Sequence, residues 1–210
     1  MTILSHGGFA APPQQDTPWA IDDSDTKTEG LKPGAFVARL NRPYVDLDRQ
    51  YVAVPFDVAA GPQKGFFADW PVSREGFHTK FLSFEPKAKG LTAKAVGAIT
   101  DSNTGFHGRA AWNAGDFDAF DGKLVGLVVS YRETRSSYDG SLEVMPDYTF
   151  VPLEALRTGS YVVPGKRHLD GTREEATEGV PVDLSELDGN EGDGGPDDEL
   201  WGGDDDDDHH

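Results

Sequence analysis

The sequence predicts a mainly β domain: a five-stranded Greek-key barrel with one helix between its third and fourth strands, flanked by disordered termini. Three observations lead there. Five short segments alternate apolar and polar residues or form brief apolar runs, as strands do. One segment, 91–102, repeats apolar residues at helical spacing. Gly, Pro and Asp-Gly signals separate these segments.

The elements follow in order. Segment 34–40, GAFVARL, is short and partly alternating, and Pro33-Gly34 leads into it, so it reads as the first strand. In 51–58, YVAVPFDV, Val52, Val54, Phe56 and Val58 share one face, and Tyr51, Ala53, Pro55 and Asp57 share the other. Pro55 has no N–H for a ladder, so an edge or a bulge is expected there. Gly61-Pro62 marks a turn, and 64–68, KGFFA, reads as a short third strand. Region 69–90 mixes Trp70, Phe77, Phe81 and Phe84 with Arg74, Lys80, Lys87 and Lys89 and has no clear period. Segment 91–102 places Leu91, Ala95, Val96 and Ile99 on one helical face and tolerates Gly97. NTGFHGRAAWNAGDFDAFDGK then reads as a loop or short hairpin. Segments 123–132, KLVGLVVSYR, and 142–151, LEVMPDYTFV, are the last two strands, joined by a turn at Tyr138-Asp139-Gly140. A short helix is expected at 153–158.

Strand, strand, strand, helix, strand, strand is the order of the OB-fold. Its ligand face lies on strands 2 and 3, flanked by the loops joining strands 1–2 and 4–5. Another small β-barrel, or a β-sandwich with one helix, accommodates the same segments.

Charge divides the chain. The formal net charge is −18, which at first argues against a nucleic-acid partner. Residues 174–210 carry 16 acidic residues and no Lys or Arg, while 31–173 carry 16 acidic and 18 basic residues. The acidity therefore belongs mostly to a tail. Rich in Gly, Asp and Glu, that tail buries too little apolar surface to offset its ordering entropy and is expected to be disordered. Residues 1–30, with Pro12, Pro13, Gln14 and Gln15, read as a flexible arm, leaving 31–173 as the nucleic-acid-binding domain. His209 and His210 are native or the remains of a purification tag.

Several chemistries are excluded. The chain has no Cys, hence no disulfide, no thiolate nucleophile and no Cys-ligated metal. It has no apolar run of about 18 residues for a membrane span. The start, MTILSHGGFAAPPQQ, lacks the basic residues and apolar stretch of a signal peptide. No HxH or HxxxH lies within the body, and no phosphate-loop or GxGxxG motif occurs. Asp57, Asp69, Asp101, Asp116, Asp118 and Asp121 leave a carboxylate-cluster nuclease open, but 116–121 reads more simply as a loop or helix start. The expectation is a protein with no catalytic residues, no metal and no cofactor.

The basic and aromatic residues fall on the surfaces an OB-fold uses. The 1–2 loop offers Arg42, Tyr44 and Arg49, and the third strand and following segment offer Lys64, Phe67, Trp70, Arg74 and Lys80, with Phe66, Phe77 and Phe81 beside them. The 4–5 loop offers Arg132, Arg135 and Tyr138. Single strands are bound by such mixtures: cations track phosphates, and rings stack on bases at about 1–3 kcal/mol each. Phe66 and Phe67 are adjacent, so one faces in and one out; Trp112, Phe117 and Phe120 read as packing residues. Leu200 and Trp201, set in DDELWGGDDDDD, form an apolar anchor in an acidic peptide and are the candidate docking point for a partner protein.

The runs PFDVAAG, GFF, SNTGF, a following Trp and GKLVGLVV, within residues 31–166, resemble a family of small proteins from phages, prophages and plasmids of Gram-positive bacteria. These are often encoded beside replication or recombination genes. The resemblance implies single-stranded-DNA binding in replication or recombination, within the bacterial host cytoplasm. The tail is similar in kind to those with which single-strand binding proteins recruit partners. It differs in ending on Asp204–Asp208, His209 and His210, with Trp201 set back. The expected partners are single-stranded DNA and replication or recombination proteins, with no membrane and a possible homo-oligomer. A protein-interaction module, or a DNA mimic that inhibits a host DNA-binding protein, is the alternative.

Overall fold

The computed structural model describes residues 30–70 and 78–188. The sheet begins with Gly34–Leu40 (β1), Tyr44–Asp46 (β2) and Tyr51–Val58 (β3), followed by Thr79–Ser83 (β4). Helices Lys89–Asp101 (α1) and Gly108–Ala114 (α2) come next, then the long strands Leu124–Arg135 (β5) and Leu142–Val151 (β6). Leu153–Thr158 (α3), Val162–Val163 (β7), Thr177–Glu178 (β8) and Ser185–Asp188 (α4) complete the described chain.

Antiparallel pairing gives a mainly β fold in which β4, β3, β1, β5 and β6 lie side by side, with β2 extending the line of β1 along β3. Leu40 pairs with Phe56 and Tyr44 with Ala53, so three residues, 41–43, oppose two, Val54 and Pro55. This is a bulge. Asn41 N–H donates to the Pro55 carbonyl, and in a strand the nitrogen of Pro55 points the same way. The proline's missing donor therefore faces the interrupted stretch and not a regular ladder.

The inner face is the core. Leu40, Val52, Val54, Phe56, Val58, Leu82, Leu127 and Val129 are buried there, with Tyr148 and Phe150 from β6. Phe56 is its hub, meeting Phe67, Tyr148 and Phe150 edge-on at 4.9–6.1 Å. Helix α1 packs Thr92, Ala95, Val96 and Ile99 against this core. Leu91, expected on that stripe, is 73% exposed. Thr92 takes the inward position and satisfies its hydroxyl by donating to the Ser83 carbonyl at 2.7 Å.

Three expectations need correction. Residues 64–68 are not a strand. They lie in a turn in which Asp57 Oδ1 accepts the N–H of Phe67 (2.9 Å) and Gly65 adopts φ +71°. The third strand of the barrel order is instead β4. Its inward positions are Lys80 and Leu82, and the lysine spoils the alternation a sequence reading looks for. The run from 103 to 123 contains α2 and a 3-10 turn, Asp118–Phe120, in which Trp112, Phe117 and Phe120 pack together edge-on. Nor does the sheet close into a barrel by strand pairing: β4 and β6 are its end strands, and no ladder joins them.

The outer face of β1 and β5 is covered by what was expected to be tail. Val37, Leu156 and Leu184 form a second buried cluster, flanked by Tyr161, Val182 and Leu187. β8 pairs with β7, Val182 N–H donates to Leu156 carbonyl, and Glu186 accepts the Gly61 N–H. The boundary expected at 173/174 thus falls inside the folded unit. Val182, Leu184 and Leu187 supply enough apolar surface to hold this stretch in an otherwise acidic segment. Gly126 permits the close approach of α3: a side chain there would meet the Val151 carbonyl at 2.8 Å and Leu156 at 3.0 Å. The remaining tail, including Leu200 and Trp201, lies outside the described residues, as does the arm before Gly30.

Leu184→Ala is expected to destabilise the protein by about 2–5 kcal/mol, the usual cost of truncating a fully buried leucine. A urea titration monitored by circular dichroism measures this; a loss under about 0.5 kcal/mol would show that 174–188 is not part of the cooperative unit.

Candidate nucleic-acid interface

Strand alternation sends every second residue of β2, β3 and β4 away from the core. Tyr44, Ala53 and Phe81 are direct neighbours across these three strands, and Tyr51 lies on the same face opposite Ser83. The result is an aromatic surface on the outside of the sheet. Tyr44 and Phe81 are each 45% exposed. Tyr51 meets Phe81 edge-on, with ring centroids 4.8 Å apart. Ala53 forms a small, buried floor between Tyr44 and Phe81. Tyr44 was expected here from sequence; Phe81 was noted only as part of an ambiguous region, and Tyr51 was missed. The alternation of 51–58 placed Tyr51 off the core face, but the identity of its neighbour strand was needed to see that it meets Phe81.

Arg49 stands at the edge of this surface. The turn between β2 and β3 is set by Asp46, whose carboxylate accepts the Arg49 N–H at 3.0 Å, and by Gln50 at φ +56°. A hydrogen bond to Tyr51, reinforced by the charge of Asp46, holds the Arg49 guanidinium above the ordinary arginine range. The side chain is solvent-exposed and its Asp46 contact is long, at 3.8 Å. Arg42 is differently occupied. Its Nε and Nη2 donate to both carboxylate oxygens of Asp118 at 3.0 and 3.1 Å, and this pairing raises its pKa. Such a fork strongly orients a guanidinium. Here it ties the bulge to the 3-10 turn.

The other sequence-nominated residues do not join the patch. Phe67 is 4% exposed, with its ring stacked on His78 at 4.9 Å, and cannot meet a base. Trp70 is half-buried against Phe66 and Phe67. Lys64 is exposed on the turn after β3, at the Val58 end of that strand, away from Tyr51. Arg74 lies outside the described residues. Arg132, Arg135 and Tyr138 sit on the far part of the β5–β6 hairpin, beyond Val129, where β1 no longer accompanies β5. By strand register that is the end of the sheet opposite β2. Tyr138 is 97% exposed at the tip, and Arg135 donates to the Gly140 carbonyl at 3.0 Å.

Lys80 is the clearest correction. Expected to contact phosphate, it points inward and donates from Nζ to the Tyr148 carbonyl of β6. Burial lowers its pKa; Asp147 opposes this and Arg132 adds to it. The same burial raises the pKa of Tyr148. Lys80 thus spans the seam between the two end strands.

The quoted family-like motifs are structural. Besides Phe67, Asp57 of PFDVAAG also holds the Val58 N–H, at 2.7 Å. Asn103 of SNTGF donates to the carbonyls of Ile99 and Leu124 and accepts the Leu124 N–H, tying α1 to β5. Ser102 accepts the N–H of Leu153 at the start of α3. None of these groups faces the aromatic patch.

No protein-family model matches the chain, and no curated protein is similar to it in sequence. Among the described residues no three His, Asp or Glu side chains converge to hold a metal ion. No described helix is long and apolar enough to cross a membrane.

Lys80 makes a pH-dependent contribution. Its folded-state pKa lies below the unfolded value of about 10.5, so the unfolded chain binds more protons between those two values. Relative to Lys80→Met, the wild-type protein should therefore gain stability as pH rises through that window. Urea midpoints of the two proteins from pH 7 to 10.5 measure the difference; a constant gap would refute the burial of a charged lysine.

Proposed function

We propose that this chain is a sequence-tolerant single-stranded-DNA-binding protein, non-enzymatic, acting in phage or mobile-element replication or recombination in the host cytoplasm. The observation that carries the reading is the exposed aromatic surface of Tyr44, Tyr51 and Phe81 with Arg49 at its edge. Aromatic rings on an open sheet face accept successive bases irrespective of sequence, because every base has a π-face. The strand order β4-β3-β1-β5-β6, with α1 between β4 and β5, supports an OB-type partly open barrel. On that assignment the patch lies on the second and third barrel strands and the loop before them, where OB-folds take ligands. Arg132, Arg135 and Tyr138 then belong to the 4–5 hairpin, which contacts the strand farther along its path.

Residues 189–210, with ten acidic residues and no basic one, recruit replication or recombination proteins through Leu200 and Trp201. Tethered beside the domain, they also compete with DNA for its cations at high effective concentration. A homo-oligomer is compatible with this role.

Fluorescence polarisation with labelled oligo-dT at several salt concentrations tests the proposal. Binding should weaken with salt. Tyr44→Ala and Phe81→Ala should each cost about 1–3 kcal/mol, the range for a base–ring stack. The competing interaction-module or DNA-mimic reading rests on the acidic segment and expects no oligonucleotide binding, with or without residues 189–210. That result would sink the proposal.

A further inference from the structure

Below the aromatic surface, on the helical side of β4, lies a cleft of about 440 Å³ that no sequence signal marked. Its walls are the N-terminal half of α1, one face of α2 and the end of β4. Phe84, Val96 and Trp112 give it an apolar lining. Lys89 and Arg109 stand on its rim from the two helices, and Asn113 and Ser83 add hydrogen-bonding groups. Both cations are exposed, and among the described residues neither forms an ion pair. The nearby Lys87, by contrast, is neutralised by Glu85 at 2.7 Å. Two unpaired cations converging on one aromatic-lined cleft form a site for an anion attached to a flat apolar group.

The architecture of the cleft is fixed. Helix α2 approaches α1 closely because Gly108 has no side chain: a Cβ there would meet Thr100 Oγ1 at 2.5 Å and Phe106 at 2.9 Å. Phe117 and Phe120 hold the Trp112 ring edge-on at 5.2 and 6.4 Å. The volume lies within the roughly 300–1,000 Å³ usual for small-ligand sites. The cleft is also continuous with the aromatic surface. Ser83 pairs with Tyr51 in the β3–β4 ladder, two residues after Phe81, and also lines the cleft.

We infer that the α1–α2 cleft is a nucleotide subsite of the strand-binding path: Lys89 and Arg109 hold a phosphate, and Trp112 packs against the base. The inference rests on the single-strand reading and adds to it a second contact region, on the helices. A strand crossing Tyr44 and Phe81 leaves the sheet at Ser83 and enters the cleft. Charge decides the occupant, since two unneutralised cations beside an indole match a phosphate and its base.

The test uses the full chain with oligo-dT, followed by polarisation and by tryptophan emission. Lys89→Ala/Arg109→Ala replaces exposed residues and should leave the thermal melt unchanged. Each lost phosphate contact removes about 0.7 from the slope of log K against log salt for single strands. The double variant should therefore flatten the slope by about 1.4, whereas Phe81→Ala should weaken binding with the slope unchanged. Trp112→Phe should remove part of the emission quenching that oligo-dT causes in the wild type. If wild type binds oligo-dT but slope and quenching survive these substitutions, the subsite is refuted and the strand-binding reading stands. If no version binds oligo-dT, both fall. If free dTMP quenches Trp112 as tightly as oligo-dT does, the cleft is a separate nucleotide site and the continuous path is refuted.

Discussion

Strands β4 and β6 each have an edge with no strand partner, and the way the protein spans the gap between them organises the rest. A polar backbone edge facing a hydrophobic interior is costly unless its groups are bonded. Here Lys80 reaches across from β4 to the Tyr148 carbonyl, and helix α1 packs against both strands from below. The cation is buried at the expense of a lowered pKa, but it satisfies an acceptor that a ladder would otherwise have served. This bridge keeps the sheet curled, so the inner residues around Phe56 enclose a core while the outer residues of β2, β3 and β4 face solvent. The aromatic surface is a consequence of that curl.

The same arrangement divides the labour between the two faces of the sheet. Over β1 and β5 the outer face is closed by α3 and residues 161–187, with Leu184 buried against Val37 and Leu156. Over β2, β3 and β4 nothing among the described residues covers it, and Tyr44 and Phe81 stay half exposed. An exposed aromatic cluster beside a covered apolar face is a surface kept for contact, since the chain has demonstrated the means to cover such a face and does so one strand away. The acidic C-terminal segment thereby has two parts of different physics. Its first residues carry the valines and leucines that dock, and its last 22 carry ten acidic residues in a context of Gly and Asp.

The residues that look most distinctive in the sequence serve this framework more than the surface. Asp57 caps two backbone N–H groups of the following turn, Asn103 makes three bonds between α1 and β5, and Gly126 makes room for α3. Each satisfies a buried polar group or a close approach, and such positions tolerate few residue types. The candidate binding residues are ordinary tyrosines, phenylalanines and arginines, which any protein uses freely. A motif search therefore finds the scaffold before it finds the site.

Local patterning determined much of this protein. The period-two runs at 34–40, 51–58, 123–132 and 142–151, the helical spacing around 95–99 and the Asp139-Gly140 turn all correspond to elements of the fold, because each depends on near neighbours in the chain. The partition of charge was equally legible. Tertiary structure alone decided the rest. Lys80 disguised β4 because its inward position is justified only by a carbonyl 68 residues away. Phe67 and Phe81 could not be told apart as core and surface until the 61–69 turn buried one and the β3–β4 register exposed the other. Leu184 could not be seen to fold within an acidic segment until Val37 and Leu156 formed the surface that receives it. Period and composition report what a segment prefers; which face meets solvent depends on partners distant in sequence, and only packing supplies them.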